Sequence, residues 1–270
     1  MRKTAKPLVS VIIPAYRAAG SLPAALASIS VSGLEPSMLE VVIAPDDGQA
    51  YAGLKTHGMA LTICAGSFNA TGAGPARNRA LAVAQGQFIA FLDADDTWAP
   101  GYLRALLPFA KAHGAAFGRT RILADGAPLL LLPSAGKNHL SLHDPGQTGA
   151  SFHPVLRRDL AGPFANMPSQ DVLHTAEVLA LVGGTAPLGD ADYNLHVSGG
   201  SETATGDFSA RVAAAYNAYI MDIKAGKTRI PPKHADAACA MFRAKSALND
   251  AYSRDGKGQS FYRFMADHLA

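Results

Sequence analysis

Residues 74–96, GPARNRALAVAQGQFIAFLDADD, decide the architecture of this chain. Gly72-Ala73-Gly74-Pro75 opens a helix on which Ala76, Ala80, Leu81 and Ala84 recur at helical spacing, and Gly86 closes it. Phe88-Ile89-Ala90-Phe91-Leu92 follows without polar alternation, the pattern of a strand covered on both faces. Asp93-Ala94-Asp95-Asp96 stands directly after that strand, at the edge where open α/β sheets bind their ligands.

The alternation of strand and helix extends outward from this stretch. Leu8-Val9-Ser10-Val11-Ile12-Ile13 is a β-branched run ended by Pro14, and Leu22, Ala25, Leu26 and Ile29 mark a helix behind Gly20-Ser21. Leu39-Glu40-Val41-Val42-Ile43-Ala44 repeats the strand signal and runs into the turn Pro45-Asp46-Asp47-Gly48, and residues 59–64 form a third candidate strand. The pattern predicts an α/β fold with a mostly parallel central sheet. Downstream, residues 101–113 suit a helix, 116–123 and 128–132 flank Asp125-Gly126 as a hairpin, and 134–154 read as a long loop. Further helices are predicted near 170–182, 208–225, 236–252 and 259–269.

Of 270 residues, 49% are apolar and only 17% charged, against roughly 25% charged in an average domain, so one large core is available and disorder is excluded. The 24 basic and 21 acidic residues are scattered apart from a basic group at residues 1–6, which argues against a nucleic-acid partner. Cys64 and Cys239 lie far apart without metal-ligand spacing and read as reduced, buried thiols. The basic start followed by PLVSVIIPA imitates a secretory leader, but the run is short and ends at Pro14. The expectation is a cytoplasmic chain, with peripheral contact at the inner face of a membrane left open.

Several residues carry candidate chemistry. Alternate carboxylates at a strand end can present oxygens to a hard cation such as Mg2+ or Mn2+, which would neutralise a phosphate-rich leaving group. The same residues also read as a solvated turn in which Asp96 or Thr97 caps the next element. Asp47 is placed to accept hydrogen bonds from a base or sugar, and Arg77 to pair with phosphate or position the acids. Gly72-Ala73-Gly74 is not a full dinucleotide fingerprint and follows the third strand, not the first. His139, His143 and His153 lack ligand spacing and read as loop residues.

VSVIIPAYR at 9–17, Asp46-Asp47-Gly48, the stretch at 74–96 and Gln170-Asp171 together resemble the family 2 glycosyltransferases of the GT-A fold, in order and spacing over about two hundred residues. The resemblance implies metal-dependent inverting transfer of a sugar from a nucleotide-sugar donor, with UDP-sugars among the candidates, to a saccharide or lipid-linked saccharide acceptor. By resemblance Pro14 and Tyr16 belong to the nucleotide-facing loop, Asp47 reads the base, and Arg77 is a donor-site arginine. Asp93 and Asp95 form the DxD motif, with Asp93 facing ribose or donor sugar and Asp95 the direct metal contact. Asp171 is the implied base; Gln170 replaces the usual Glu, and an N-terminal helix cap is the competing account of Asp171. His196, in the segment 193–201, is implied at the metal, diphosphate or acceptor, against the alternative of a structural histidine. Trp98 reads either as acceptor wall or as packing.

The implied organisation is a GT-A domain over 1–205, divided into a nucleotide-sugar-binding half at 1–98 and an acceptor-side half at 99–205, with a helical C-terminal extension at 206–270. Residues 134–154 and 197–207 are candidates for acceptor selection. The processive-synthase motif Gln-x-x-Arg-Trp is absent, which favours single addition. Apolar stripes on the last helices read as core, with a dimer or membrane-surface patch as the alternative. A sugar-phosphate nucleotidyltransferase and a noncatalytic scaffold are the rival functions.

Overall fold

A computed structural model describes residues 6–65, 70–197, 208–256 and 258–269. Strands β1 (Val9–Ala15), β2 (Leu39–Pro45), β3 (Ala60–Ile63) and β4 (Phe88–Phe91) lie side by side in the order β3-β2-β1-β4, and every pairing among them is parallel. β1 is flanked on both edges, which is why its residues are apolar without alternation: Val9, Val11, Ile12 and Ile13 are all fully buried. The run resembling a leader is thus a central strand. Helices α1 (Leu22–Ser30), α2 (Ala73–Val83) and α3 (Tyr102–His113) supply the layers that cover this sheet.

Beyond β4 the sheet becomes mixed. β5 (Thr97–Trp98), β6 (Ala115–Ala124), β9 (Pro154–Arg157) and β10 (Thr185–Val197) continue it in the order β4-β9-β6-β10-β5; β6 and β10 are parallel, the other three pairings antiparallel. β7 (Ala127–Leu132) folds back on β6 through Asp125-Gly126, whose φ values of 50° and 81° are both positive, as a two-residue hairpin turn of this kind requires.

The segment read as a loop at 134–154 is largely organised. It carries β8 (His139–Ser141), paired with β10, and a short helical turn at Asp144–Gln147. Buried Asp144 holds it, accepting the Ser141 amide (2.6 Å) and hydroxyl (2.7 Å) and pairing with Lys137. β10 is the long strand that apolar patterning did not signal. Gly189, Asp190 and Asp192 interrupt its pattern, and its register with β6 shifts between Leu188 and Asp192.

α4 (Gln170–Leu181), α5 (Phe208–Lys224), α6 (Ala235–Asp255) and α7 (Phe261–Leu269) fall close to the predicted helices. Val212, Tyr216, Tyr219 and Ile223 of α5 and Met241 and Phe242 of α6 share one buried cluster with Leu140, Phe152, Val172 and Leu179. Helices α5 and α6 therefore complete this part of the core. Cys64 and Cys239 are free and buried. No helix among the described residues is long and apolar enough to cross a membrane.

One glycine shows how tightly α2 meets the segment that leads into α4. A Cβ on Gly74 of α2 would lie 2.1 Å from the Ala165 carbonyl oxygen and 3.2 Å from Gln170 Cγ. Alanine in a helix interior is ordinarily worth about 0.5–1 kcal/mol over glycine. Gly74→Ala is expected to reverse that sign and lower the melting temperature; a stabilised variant in thermal unfolding would contradict the close approach.

Candidate active site

The carboxyl ends of β1, β2 and β4 deliver three loops to one edge of the sheet. Pro14 lies opposite Ala44 near the end of β1, and Tyr16 follows it, 48% exposed, with the Arg17 guanidinium 5.1 Å from its ring centre. Asp47 joins this loop to the next. Its Oδ2 accepts the Arg17 amide (2.6 Å) and the Tyr51 hydroxyl (2.7 Å), its Oδ1 accepts the Gln49 amide (3.0 Å), and the Tyr51 oxygen in turn accepts the Ala18 amide (3.1 Å). Burial works to raise the Asp47 carboxyl, but the Tyr51 hydroxyl and the backbone donors outweigh it and keep the group ionised. A carboxylate offers about four acceptor positions, so one donor from a ligand can still be received.

The entrance of α2 already has its anion. Asp46, 3% exposed, accepts the Thr71 hydroxyl (2.5 Å), the Gly72 amide (2.7 Å) and Arg79 Nη2 (2.9 Å), and Gly72 takes the N-cap position with φ at 98°. The helix terminus and Arg79 are thereby neutralised from within the protein.

Arg77 lies one turn into α2 and is 2% exposed. Its Nη2 pairs with Asp93 Oδ1, while His153 Nε2 stands 3.4 Å from Asp93 Oδ2 and the Phe164 ring lies 5.4 Å from the guanidinium carbon. Burial would raise the Asp93 carboxyl, but Arg77 and then His153 outweigh it and hold it well below the usual carboxylate range. On Arg77 burial opposes the charge, and Asp93 followed by Asp171 overcomes it. The charges of Asp93 and Asp171 therefore both favour this one guanidinium. Arg77 Nε and Nη1 and Gln170 Oε1 are buried without a hydrogen-bond partner among the described residues, which leaves polar capacity between α2 and α4.

Asp95 is the accessible acid of the group. Partial desolvation and the neighbouring Asp93 charge push its carboxyl up, and the His196 imidazole acts in the opposite direction. His196 Nε2 lies 2.9 Å from Thr97 Oγ1. No group of three or more acidic, His or Cys side chains able to hold a metal occurs among the described residues. The donor set nevertheless suits a hard cation: Mg2+ is characteristically held by one or two carboxylates plus substrate phosphates, not by an all-protein cage. Asp95 fits that role, with His196 beside it, whereas Asp93 is engaged by two basic side chains.

Asp96 binds the acidic turn to β10. It is 5% exposed and accepts the Tyr193 hydroxyl (2.8 Å) on Oδ2 and the His196 amide (2.9 Å) on Oδ1, and the Tyr193 oxygen accepts the Asp93 amide (3.0 Å). Trp98 is 2% exposed and stacked on Tyr102 at 4.7 Å, which settles it as packing.

Asp171 occupies the first turn of α4. The N-cap position belongs to Ser169, and Asp171 Oδ1 accepts the first-turn amide of Val172 at 3.0 Å, so one of its oxygens serves the helix terminus. Lys245 of α6, 4% exposed, donates to the carbonyls of Thr148 (3.1 Å) and Ala150 (3.4 Å); burial lowers its ammonium to about 8 against the opposing charge of Asp171. From α7, the Tyr262 hydroxyl is pushed up by burial and by the charges of Asp96 and Asp171. Sequence reading took His153 for a loop residue; nothing in its local spacing marks it as the neighbour of Asp93. Of the segment 193–201, residues after Val197, like the acceptor candidates at 198–207, lie outside the described residues.

Burial, then Asp93 and Asp95, raise the Asp96 carboxyl well above its ordinary value. A raised acid binds its proton more tightly in the folded chain, so its stabilising contribution is full below the unfolded value and is lost as pH rises through the window above it. The stability of Asp96→Asn relative to the natural protein is therefore expected to improve as pH rises from about 4 towards neutrality. Denaturant titrations of both proteins across that range check this, and a constant difference would contradict it.

The glycosyl transferase family 2 model matches residues 10–129. TuaG of Bacillus subtilis (strain 168), by name a teichuronic acid biosynthesis glycosyltransferase, is 35% identical over 137 residues, covering 46% of this chain and 51% of TuaG. WfgD of Escherichia coli, a UDP-Glc:alpha-D-GlcNAc-diphosphoundecaprenol beta-1,3-glucosyltransferase, is 34% identical over 94 residues, 34% of this chain and 36% of WfgD. The chain thus spans about half the length of the first relative and about a third of the second. Among solved structures, S. aureus TarS 1-349 in complex with UDP-GlcNAc superposes with a TM-score of 0.66 at 18% identity, covering 93% of this chain and 76% of that one. The mannosyltransferase PcManGT from Pyrobaculum calidifontis, in complex with GDP-Man and Mn2+, gives 0.53 at 16% identity, covering 98% and 80%. These two likenesses speak to the fold alone. The family match thus runs over β1 to β4 and the acidic turn at the end of β4, and in that part the chain is similar to the family 2 glycosyltransferases.

Proposed function

We propose that this chain transfers a sugar from a nucleotide-sugar donor to a hydroxyl of a glycan or lipid-linked acceptor, with inversion, in the synthesis of a surface polysaccharide. The observation that carries the reading is the ion pair of Arg77 with Asp93 at the end of β4, with Asp95 left accessible beside it and α2 closing at Gly74 on Gln170, the residue before Asp171. The relatives named for UDP-Glc and for teichuronic acid, and the TarS complex with UDP-GlcNAc, favour a UDP-sugar and a surface-glycan acceptor. In this reading residues 1–98 hold the donor, 99–205 and the helices at 206–270 face the acceptor, and the chain works at the cytoplasmic side of a membrane.

Tyr16 and Pro14 border the base, and Asp47 receives its remaining hydrogen bond from it. Arg77 fixes Asp93 towards the ribose or donor sugar. Mg2+ or Mn2+ bound by Asp95, with His196 beside it and the donor phosphates completing the shell, would supply neutralisation of the departing diphosphate. Asp171 accepts the proton of the acceptor hydroxyl as its oxygen bonds to the anomeric carbon. The bond from that carbon to the diphosphate oxygen breaks on the opposite face, and its electron pair leaves with the nucleoside diphosphate.

Release of nucleoside diphosphate from a panel of nucleotide sugars, with and without Mg2+ or Mn2+, tests the proposal. Production of pyrophosphate from a nucleoside triphosphate and a sugar phosphate would instead identify a nucleotidyltransferase, and failure to bind any nucleotide sugar with metal present would sink the reading. Asp171→Asn is expected to cut turnover by about a hundredfold or more while donor affinity stays within a few-fold, because only the proton acceptor is lost. Asp95→Asn is expected to weaken metal-dependent donor binding; an unchanged metal dependence would remove Asp95 from that role.

A further inference from the structure

We infer that α5 is a positioning clamp for the base: the hydroxyls of Tyr219 and Tyr216 hold the left-handed Ser169 turn that delivers Asp171 to the site. The inference rests on Asp171 acting as base in the proposed transfer. The residues concerned lie outside the part of the chain matched by the family, which ends at residue 129.

Ser169 has φ 57° and ψ 29° and is not a glycine. A side chain in that region is strained, and the conformation persists only where its surroundings over-determine it. Within α4, the Ser169 carbonyl accepts the amides of Val172 (3.1 Å) and Leu173 (3.2 Å), and Asp171 Oδ1 accepts the Val172 amide at 3.0 Å. Those bonds tie the strained residue to the helix start, but nothing in them ties the helix start to the rest of the molecule.

The tie comes from two sides. On the donor side, the Asn78 side chain donates to the Phe164 carbonyl and accepts its amide, both at 2.8 Å, and Gly74 lets α2 close onto Ala165 and Gln170. On the other side, the Tyr219 hydroxyl donates to the carbonyls of Pro168 (2.9 Å) and Met167 (3.3 Å), and the Tyr216 hydroxyl lies near the Ser169 side chain. Residues 216 and 219 are three apart and so share one face of α5. Both are buried, and Phe242 of α6 packs against their rings at 5.6 and 5.4 Å. Burial pushes both hydroxyls up, Tyr216 to about 12, so each keeps its proton at neutral pH. Two protonated, buried tyrosines thus face the three residues immediately before Gln170-Asp171, and Tyr219 bonds two of them directly.

Tyr219→Phe and Tyr216→Phe keep the buried rings and delete only the hydroxyls. Tyr219→Phe is expected to lower kcat about tenfold or more with donor KM and nucleotide Kd within about twofold, because the base is displaced while the donor site is untouched. Amide hydrogen exchange at Val172 and Leu173 is expected to accelerate in both variants, with no change in β1 or β4. Wild-type exchange at those two amides would overturn the clamp, as would a loss of kcat accompanied by equal loss of donor binding and a lowered melting temperature. If the natural protein releases no nucleoside diphosphate from any donor, the transfer reading fails, and the exchange measurement still decides whether α5 holds the turn.

Discussion

The ion pair between Arg77 and Asp93 constrains everything around it. A guanidinium that is 2% exposed cannot be left without a counter-charge, because removing one partner of a buried pair costs on the order of 3–5 kcal/mol. Arg77 must therefore meet Asp93 at the end of β4, and α2 must lie where its second turn reaches that strand end. Gly74 permits the approach, Phe164 covers the guanidinium, and Asn78 fastens the segment that carries Phe164. The segment runs directly into Ser169 and Asp171. The acidic turn after β4 and the Ser169 turn are in this way fixed by one buried charge.

That arrangement explains how a chain with so little charge can concentrate acids at one place. Asp93 is ionised by Arg77 and His153, Asp96 is raised by burial and by its acidic neighbours, and Asp95 stands open between them. Three carboxylates within four residues thus have three different electrostatic situations. Each is set by what is brought against it from elsewhere in the chain: α2, β9 and β10 respectively supply Arg77, the approach of His153, and the Tyr193 and His196 contacts.

Sequence pattern located most elements because their physical requirements are local. The unbroken apolar runs of β1, β2 and β4 declare double burial, Asp125-Gly126 declares a hairpin through two positive φ values, and the spacing in α2 to α7 marks their inward faces. β10 escaped because Gly189, Asp190 and Asp192 break its alternation, and its pairing is decided by β6, more than sixty residues earlier in the chain. The loop at 134–154 concealed β8 for a related reason: its order comes from Asp144, Lys245 and the packing of α6 and α7, with Phe261 lying so close that Gly149 admits no Cβ.

What this sequence determined by itself is the order of β1 to β4, of the β6–β7 hairpin and of the helices, and the position of the acids Asp47, Asp93, Asp95 and Asp171 at element ends, since hydrophobic period and turn chemistry act over a few residues. Tertiary structure alone decided which of those acids are engaged and by what. Arg77 and His153 on Asp93, Tyr193 on Asp96, Tyr51 on Asp47 and the α5 tyrosines on the Ser169 turn are contacts between residues distant in the chain. Their strength depends on burial, and burial exists only once the chain has folded.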